Sequence, residues 1–464
     1  MKFAIPTLLF VALVTSACSG SRDTPGGGTP LPTPPNPDPT PVVYTDAELL
    51  DLVQKETIAY FWDYAETNSK LARERYHTDS PSVDQNIVTT GGSGFGLLTL
   101  LVGIEKGFVP RAQAVERLTT GLNFLEKAER FHGAWSHWID GGTGAVKPFG
   151  PGDDGGDLVE TAFLVQGLLC VREYFKDSSV EAEKNLALKA DELWQGVEWS
   201  WYTQNQNTLY WHWSKNSGFQ MNMKLQGFDE TLITYVLAAS SPTYPISKEV
   251  YKEGWARNGG IKSAGSLYGI PLVVNHNGHS GSVGPLFWSH YSFLALDPRG
   301  LSDEYVNYGN VVLNHAKIMY QYALDNPKGY VGYGAKGWGL TASYSRNNDG
   351  STGYSAHSPQ NDLGVISPTA ALSSMPYTPS ESMGMLRFLY NEKKSQYVGV
   401  AGPYDAYSMQ YSWVTPRYLA IDQGTITPMV ENYRSGFIWN LFMKAPEIKV
   451  GLKKLGFSST THTL

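Results

Sequence analysis

Acidic side chains gather at residues 152–169, GDDGGDLVETAFLVQGLL, just before an almost wholly apolar run. Asp157 and Glu160 have the spacing of a helix N-cap and its N3 partner, and capping alone would explain this pair. Capping does not explain Asp153, or why so much negative charge precedes a buried helix. Two carboxyl groups beside one bond can act as general acid and base. We therefore consider Asp153, Asp157 and Glu160 as candidate catalytic residues at the mouth of this helix.

The same arrangement occurs twice more along the chain. Residues 226–237, QGFDETLITYVL, place Glu230 at the start of an apolar helix, and residues 420–436 place Asp422 just before one and Glu431 within it. Each occurrence alone has the same capping explanation. Three occurrences on helices of one kind would place their carboxylates around a single rim, which capping does not require.

The elements that carry these acids are predicted to be helices of two alternating kinds. One kind is amphipathic with a charged outer face, in residues 45–66, 110–129, 181–201 and 302–323. The other is apolar nearly all round, in residues 93–107, 157–175, 229–241, 367–375 and 427–443. This alternation favours an all-α toroid of about twelve helices, an outer ring around an inner one, with long aromatic-rich loops and minor β-hairpins. A hairpin is expected near residues 268–274. The absence of strand–helix alternation argues against a nucleotide-binding sheet and a (β/α)8 barrel.

The amino-acid composition limits the class of molecule that this protein is expected to bind. A net charge of −7 without a basic patch argues against nucleic acid. The chain contains 28 Tyr, 18 Phe and 13 Trp, many of them in glycine-rich segments beside polar residues. Aromatic rings stack on the C–H faces of sugars while polar neighbours bind the hydroxyls, so a carbohydrate is the expected partner. The alternative is that these rings only fill the ends of a large helical body. The candidate sugar-binding residues are Trp211, His212, Trp213, Trp338, Tyr377, Tyr407, Trp413 and Glu431.

Two further groups of side chains have competing interpretations. Arg73 and Arg75 could bind sugar hydroxyls or hold a carboxylate ionised, or they could form a surface ion pair with Glu74 or Asp63. His137, His212 and His290 show no metal-ligand spacing, so we expect hydrogen-bonded histidines and neither a metal nor a cofactor.

The N-terminal segment has the pattern of an exported lipoprotein. Residues 1–17 read as a signal peptide, and Thr15-Ser16-Ala17-Cys18 resembles a bacterial lipobox with lipidation at Cys18. The alternative is an ordinary signal peptide. Residues 18–43 are rich in proline and glycine and predict a tether, followed by one domain over residues 44–464. We therefore expect a monomer in the cell envelope that contacts the membrane only through its lipid.

Several sequence blocks together resemble the glycoamylase-like family of bacterial lipoproteins. They include GDLVETAFLVQGLL, GFDETLITYVLAASSP, ISPTAALSSMPYTP and AIDQG followed by MVENYRSGFIWNLFM. The family overlaps glycoside hydrolase family 144, whose characterised members act on β-1,2-glucan. The resemblance implies an (α/α)6 barrel, Glu230 as general acid and Asp422 as base, with Asp153, Asp157 and Glu160 in the family's acid cluster.

The implied chemistry is hydrolysis of a glucosidic bond with inversion, most simply in β-1,2-glucan or sophoro-oligosaccharides. Inverting carboxyl groups stand roughly 6.5–9.5 Å apart to admit water. Glu230 must hold a proton near neutrality, and its neighbouring acids and a Trp211 or Trp213 lid must overcome the helix dipole; otherwise Asp157 or Glu160 could be the acid.

The sequence departs from the family pattern at two places. It has Phe228-Asp229 where many members have Trp-Asn, and Thr425 where many have Pro. Both departures bear on substrate preference. The alternatives are an α-glucan hydrolase of glucoamylase type, a non-catalytic glycan-binding lipoprotein, and a polysaccharide lyase, which the acid-rich rim disfavours.

Overall fold

Helices form at the predicted positions because apolar residues recur there at helical spacing. The computed structural model describes residues 43–464. Within this range there are 14 α-helices: Asp46–Trp62, Thr90–Glu105, Arg111–Lys127, Leu158–Phe175, Glu181–Gln195, Leu232–Ser240, Lys248–Val250, Tyr308–Asp325, Pro368–Ser373, Pro379–Arg387, Lys394–Tyr397, Ala420–Arg434, Phe437–Phe442 and Pro446–Leu455.

The helices that are apolar all round form an inner ring. Helix Thr90–Glu105 packs between Leu158–Phe175 and Ala420–Arg434, which in turn contact Leu232–Ser240 and Pro368–Ser373 respectively. The short 3-10 helix Leu286–Ser289 and the residues after it close the ring. The hydroxyl of Ser292 accepts the backbone N–H of Ile233 at 3.0 Å, and His290 Nε2 lies 3.0 Å from Ser374 Oγ.

The amphipathic helices pack on the outside of this ring. Asp46–Trp62 contacts Thr90–Glu105 and Ala420–Arg434, Glu181–Gln195 contacts Leu158–Phe175, and Pro446–Leu455 contacts Leu232–Ser240. The predicted all-α double ring is therefore confirmed.

Glycine allows two inner helices to approach closely. A Cβ at Gly94 would meet the Phe163 carbonyl oxygen at 2.0 Å, and one at Gly167 would meet the Gly94 oxygen at 2.5 Å. Any side chain at either position would push these helices apart, because such contacts are far inside van der Waals range.

The strands are short and lie in the connections. They are Arg75–His77, Ile87–Thr89, Trp138–Asp140, Val146–Lys147, Gly156–Asp157, His212–Trp213, Ser266–Leu267, Ile270–Pro271, Leu301–Ser302, Ala342–Arg346, Thr352–Ala356, Val398–Gly399, Gly402–Pro403, Ala406–Ser408, Trp413–Thr415, Arg417–Leu419 and Ser458–Ser459. The expected hairpin near 268–274 is the antiparallel pair Ser266–Leu267 and Ile270–Pro271.

Two pairings position the acids. Gly156–Asp157 pairs with His212–Trp213, so Asp157 lies opposite His212. Arg75–His77 pairs with Arg417–Leu419, directly before the helix that carries Asp422.

Two details differ from the sequence-based expectation. The predicted helix 427–443 is two helices, Ala420–Arg434 and Phe437–Phe442, separated at Gly436 with its positive φ of 69°. The longer helix begins before the predicted start, so Asp422 lies in its first turn rather than ahead of it.

The predictions for the signal peptide, for Cys18 and for the tether up to residue 42 lie outside the described residues. Among the helices of residues 43–464, none is both long and apolar enough to cross a bilayer. Cys170, within the apolar helix Leu158–Phe175, is a fully buried free thiol.

Candidate active site

The starts of several inner helices meet at a pocket of about 430 Å³. Glu160, the third residue of helix Leu158–Phe175, lines it, as do Thr89 and Ile421 at the starts of two other inner helices. Its other ionisable lining groups are Glu74, Arg75, His137 and Glu230, and its aromatic walls are Trp138, Phe149, Phe163, Trp211, Phe287, Tyr291, Tyr344 and Tyr354. The pocket therefore combines carboxyl groups and rings, the combination expected for a bound sugar.

Glu230 enters the pocket from the residues just before helix Leu232–Ser240. Its neighbour Asp229 stabilises the turn before this helix: Asp229 Oδ1 accepts the Thr231 N–H at 3.0 Å, and Oδ2 accepts Asn277 Nδ2 at 2.8 Å. The Glu230 carboxyl does not cap the helix. Burial, and then the charge of Asp229, raise the pKa of Glu230 well above its ordinary value, overcoming the opposing backbone hydrogen bond. A carboxyl group in this state can donate a proton near neutrality.

Asp422 lies behind the pocket wall in the first turn of helix Ala420–Arg434 and is 2% exposed. Its Oδ1 accepts the hydroxyl of Tyr291 at 3.1 Å, and Tyr291 itself lines the pocket. Burial, and then the neighbouring Asp405 carboxyl, raise the pKa of Asp422 well above its ordinary value. The Tyr291 hydroxyl therefore connects the Asp422 carboxyl to the pocket.

Glu160 occupies a cradle made by an adjacent inner helix. Its Oε2 accepts the backbone N–H of Gly91 at 2.7 Å, and a Cβ on Gly91 would lie 2.5 Å from that oxygen. Burial is the main cause that raises the pKa of Glu160 to about 7, while the positive charge of His137 opposes it. Glu160 can therefore gain or lose a proton near neutral pH.

Asp153 and Asp157 face two histidines in one cluster. Asp157 Oδ1 caps its helix by accepting the N–H groups of Val159 and Glu160 at 3.0 and 2.9 Å. Its Oδ2 lies 3.1 Å from His137 Nδ1 and 3.4 Å from His212 Nε2. Asp153 Oδ2 lies 3.3 and 3.4 Å from the same two nitrogens. Asp157 is therefore both a cap and a partner of two imidazoles.

This cluster is electrostatically compensated. Burial alone would lower the pKa of His137, but Glu160 and hydrogen bonds to Asp153 and Asp157 raise it well above its ordinary value. Burial alone would likewise raise the pKa of Asp157, but His137 and His212 hold it well below its usual range. Donor atoms of His137, Asp153 and Asp157 lie within 4.8 Å of one another and could hold a cation. The absence of a metal remains a prediction, favoured because histidinium already balances these carboxylates.

The other residues proposed to bind sugar divide between the pocket and the core. Trp211 lines the pocket, and its neighbour His212 belongs to the histidine–aspartate cluster. Trp213 packs instead against Trp201, with ring centroids 5.8 Å apart, because alternate residues of a strand face opposite sides. Trp211 is therefore the ring of this segment that could cover a substrate.

Arg73 lies away from the pocket. Its guanidinium donates to the carbonyl oxygens of Pro81 and Val83 at 3.0 and 2.9 Å and holds that loop in place. Arg75 lines the pocket in its stead, with its guanidinium 5.4 Å from the ring of Trp138. In residues 43–464 Arg73 forms no ion pair with Glu74 or Asp63, and its contact with a sugar stays a prediction.

Four aromatic candidates are not among the residues that line this pocket. Trp338 is 1% exposed, the Tyr377 hydroxyl donates to the Ser289 oxygen at 3.0 Å, and the Tyr407 ring stacks on Tyr397. Trp413 is half-buried in the hairpin with Ala406–Ser408. Glycine-rich surroundings identified these rings, but three of them are buried in the protein interior.

Glu431 lies at the opposite end of its helix from Asp422. Its carboxyl accepts Gln54 Nε2 at 3.1 Å and Ser435 Oγ at 2.8 Å. Nine residues separate it from Asp422, which is about 13 Å along a helix. These contacts fasten the outer helix Asp46–Trp62 to the inner one, and they explain the buried carboxylate without substrate.

Sequence reasoning missed several groups at the site. Glu74 lies between Arg73 and Arg75, which were considered for sugar binding, but no signal in the sequence singles it out. Tyr291 and Tyr354 come from connections without a helical pattern. Asp405 is a single acid in an aromatic loop and gains a neighbour, Asp422, only through the fold.

Comparison with known proteins agrees with this picture. Residues 222–446 match the family model Glycoamylase, described as "Putative glucoamylase". An endo-β-1,2-glucanase from Chitinophaga pinensis, solved with sophorotriose and glucose, is 54% identical, with a TM-score of 0.87 over 90% of this chain and 99% of that one. An exo β-1,2-glucooligosaccharide sophorohydrolase from Parabacteroides distasonis is 43% identical over 429 residues, 89% of this chain. This chain spans 58% of the length of that enzyme.

A more distant structure supports the fold alone. An endo-β-1,2-glucanase from Talaromyces funiculosus has 11% identity and a TM-score of 0.64, covering 86% of this chain and 88% of that one. The close match to the Chitinophaga protein extends over nearly its whole length. The chain therefore belongs to the glycoamylase-like family that its sequence blocks indicated.

Proposed function

We propose that this protein hydrolyses glucosidic bonds of β-1,2-glucan or sophoro-oligosaccharides with inversion at the anomeric carbon. The observation that carries the proposal is the protonated state favoured for Glu230 inside a ring-lined pocket. The 54% identity to a protein solved with sophorotriose supports the choice of linkage. The pocket volume of about 430 Å³ is within the range of small-molecule sites.

In this proposal Glu230 is the general acid. A raised pKa keeps its proton at neutral pH, and its place in the pocket lining would allow it to protonate a leaving oxygen. Glu160 is the competing candidate, because its pKa is about 7 and it lines the same pocket. Its hydrogen bond from Gly91 and its proximity to the His137 charge favour the ionised form, which suits a substrate-orienting role better.

Asp422 is the proposed base, acting through Tyr291. Because burial and Asp405 raise its pKa, this role requires that the Asp405–Asp422 pair carry one negative charge. A water in the pocket would give a proton to the Tyr291 oxygen as Tyr291 passes its own proton to Asp422 Oδ1, 3.1 Å away. This relay lets a carboxyl group behind the wall activate a water that it does not touch. It also leaves room between acid and water for a sugar, as inversion requires.

Side chains in the pocket wall would bind the sugar. Trp211, Trp138 and Phe149 offer ring faces for pyranose C–H groups, and Arg75 offers donors for hydroxyls. Glucans carry no charge, and the acids of this site would repel anionic sugars such as uronates. These features favour a neutral glucan as substrate.

A product assay tests the proposal. Purified protein is incubated with β-1,2-glucan, sophoro-oligosaccharides, starch and maltose, and the anomer first released is followed by NMR. We expect α-configured products from the β-1,2-linked substrates only, and a loss of about 10³-fold in kcat for Glu230→Gln. Glu249→Gln, an exposed glutamate on the outer surface, is the matched control.

Three results would contradict the proposal. Cleavage of starch or maltose alone would mean α-glucan hydrolysis. Binding of β-1,2-glucan without turnover would mean a glycan-binding protein. Full activity of Glu230→Gln together with loss in Glu160→Gln would transfer the acid role to Glu160.

We also propose that Cys18 is lipidated and anchors the protein in the cell envelope, with residues 18–43 as the spacer. The Ser16-Ala17-Cys18 pattern and the eight prolines of residues 21–43 support this. Mass spectrometry of the mature N-terminus from cell membranes should find a diacylated Cys18. Recovery of Cys18→Ser in the membrane fraction at wild-type level would contradict it.

A further inference from the structure

Two buried carboxyl groups from distant segments meet behind the pocket wall. Asp405 lies between strands Gly402–Pro403 and Ala406–Ser408 and is fully buried, and its side chain hydrogen-bonds to that of Asp422. Asp405 Oδ2 accepts the backbone N–H of Tyr344 at 2.7 Å, and Asp422 Oδ1 accepts the Tyr291 hydroxyl. One oxygen of each remains, Asp405 Oδ1 and Asp422 Oδ2, and both are buried without another partner.

A proton between Asp405 Oδ1 and Asp422 Oδ2 would supply the hydrogen-bond donor that both oxygens lack. Ionised carboxylates only accept hydrogen bonds, so two of them in contact would repel and leave both oxygens unsatisfied. One shared proton gives each oxygen its partner and leaves a single negative charge on the pair, as in carboxyl dyads generally. No Lys or Arg forms an ion pair with Asp405 or Asp422 in residues 43–464, so a cationic side chain does not replace that proton.

We propose that Asp405 is a positioning residue that shares this proton with Asp422, between Asp405 Oδ1 and Asp422 Oδ2, so that the pair carries one negative charge and Asp422 can act as the base. The catalytic meaning of this inference rests on the proposed function. The electron pair that receives the proton of the attacking water is then on Asp422, on the side where Tyr291 reaches the pocket. The helix alone would leave the Asp422 carboxyl free to rotate away from Tyr291.

The surroundings favour one charge rather than two. The titratable groups that face the pair are Glu74, Tyr291, Tyr344 and Tyr354. Arg75, Arg417 and His77 interact with Tyr344 instead, and Glu230 interacts with Tyr354. Glu74 adds negative charge and opposes a second ionisation, and burial acts the same way on both carboxyls. Burial lowers the pKa of His77 to about 4, so its imidazole is neutral near pH 7 and brings no compensating charge.

The hydrolytic step balances with this assignment. The water oxygen bonds to the anomeric carbon, and one water proton passes to Asp422 through Tyr291. The glycosidic C–O bond breaks with its electrons on the departing oxygen, which takes the Glu230 proton. The Asp405 proton is not consumed, and the two catalytic carboxyls exchange their protons with solvent after product leaves.

Two substitutions at position 405 show whether Asp405 acts by donating a hydrogen bond to Asp422 or only by its shape. Asn at 405 can still donate to Asp422 through its amide, whereas Leu cannot. We expect Asp405→Asn to keep the acid side of the kcat/KM pH profile within about 0.3 pH unit of wild type. Asp405→Leu should move it upward by about one unit or more, because an ionised carboxylate that loses its donor binds a proton more readily.

Three outcomes would overturn the inference. One is an unshifted profile in folded Asp405→Leu. Another is an Asp405→Asn enzyme as inactive as Asp422→Asn, which would make Asp405 the base itself. The third, read by thermal unfolding, needs no activity. The shared proton is bound by the folded protein and not by the unfolded one, so wild-type Tm should fall from about pH 4 to 7 more steeply than that of Asp405→Asn. Equal slopes for wild type and Asp405→Asn would show that Asp405 and Asp422 do not share a proton.

These readouts separate the inference from the proposed function. If wild type cleaves no β-1,2-linked substrate, the hydrolase proposal fails, while the Tm slopes still decide whether Asp405 and Asp422 share a proton. If wild type is active and the slopes are equal, the inference fails and the hydrolase proposal stands.

Discussion

Two inner helices begin beside acids of similar pattern, yet the acids reach opposite charge states. At helix Leu158–Phe175, His137 and His212 lie within 3.4 Å of the Asp157 carboxylate and hold its pKa low. At helix Leu232–Ser240, Glu230 has another acid, Asp229, as its neighbour, and its pKa is raised. Cap spacing is thus no guide to protonation, because the side chains that arrive from other segments set it.

The contrast suggests a division of labour around one pocket. In the histidine–aspartate cluster of His137, Asp153, Asp157 and His212, imidazoles and carboxylates are paired. This pairing raises the pKa of His137 and lowers that of Asp157, as suits a rigid binding wall. On the other side of the pocket, Glu230 can donate a proton and Asp422 can accept one, as the proposed hydrolysis requires. Four predictions test this division, starting with the largest expected effect.

Replacing Asp422 with Asn should reduce kcat on β-1,2-linked oligosaccharides by about 10³-fold or more with little change in KM. The amide can still accept the Tyr291 hydroxyl but cannot take a proton from it. Steady-state kinetics would measure this, and an unchanged Tm would show that the fold is intact. Asp362→Asn is a matched control, because this buried aspartate also accepts tyrosine hydroxyls, from Tyr322 and Tyr333, outside the pocket. A kcat for Asp422→Asn within tenfold of wild type would contradict the assignment of chemistry to this side.

Replacing His137 with Ala should cost about 3 kcal/mol in the free energy of unfolding, because it leaves Asp153 and Asp157 buried with one cation fewer. The loss should be greatest between about pH 4 and 6.5, where unfolded aspartate is ionised and unfolded histidine is protonated. Above that range it should shrink, because the folded imidazolium binds a proton that the unfolded state has released.

Urea unfolding at several pH values measures the His137→Ala effect. His132→Ala is the matched control, since His132 pairs with a half-exposed Glu198 and should cost at most about 1 kcal/mol. Equal losses in the two variants would mean that the cluster is not an ion network. Added Zn²⁺ that raises wild-type Tm and leaves His137→Ala unchanged would show a metal there instead.

Much of this arrangement could be predicted from sequence, and the limits are physical. Periodicity determines which faces are buried, so the double ring and the helix starts that carry Glu160 and Glu230 were accessible. Hydrophobic periodicity does not determine the direction of long side chains or of side chains on loops. Arg73 and Arg75 are two residues apart on one extended segment, and only the position of loop 81–83 separates a structural arginine from a pocket arginine.

Loop residues were the least predictable for the same reason. Asp405 has no helical or strand pattern of its own, and its importance arises from contact with a residue 17 positions away. Conversely, Trp338 and Tyr407 looked like loop rings but are 1% exposed. Composition shows that rings are abundant, but burial depends on contacts that only the folded chain makes.

Replacing Glu160 with Gln should stabilise the protein above about pH 7. The pKa of Glu160 in the folded state is about 7, so unfolding releases its proton at any pH between the unfolded value and 7. Stability from this group is therefore complete at low pH and falls as pH rises. Gln removes that loss, and its oxygen can still accept the Gly91 N–H, so a gain of about 2 kcal/mol is expected at pH 8 and little at pH 4.

Thermal unfolding of wild type and Glu160→Gln from pH 4 to 8 gives this difference. Glu66→Gln is a useful control, because Glu66 is also buried and accepts backbone N–H groups, those of Asn68 and Ser69, but lies outside the pocket. A stability difference that is independent of pH would mean that Glu160 is ionised throughout, and it would join the compensated side of the comparison.

The smallest expected effect separates the two arginines. Arg75→Met should raise KM for sophoro-oligosaccharides by about three- to tenfold and leave Tm nearly unchanged, because it removes hydroxyl donors from the pocket but keeps the packing against Trp138. Arg73→Met should do the reverse. It removes the donors to Pro81 and Val83 and should lower the free energy of unfolding by about 1–2 kcal/mol, with KM near wild type. Isothermal titration with a sophoro-oligosaccharide in the Glu230→Gln background measures binding without turnover. If Arg73→Met weakens binding while Arg75→Met does not, loop 81–83 takes part in substrate binding and the compensated wall of the pocket extends beyond the histidine–aspartate cluster.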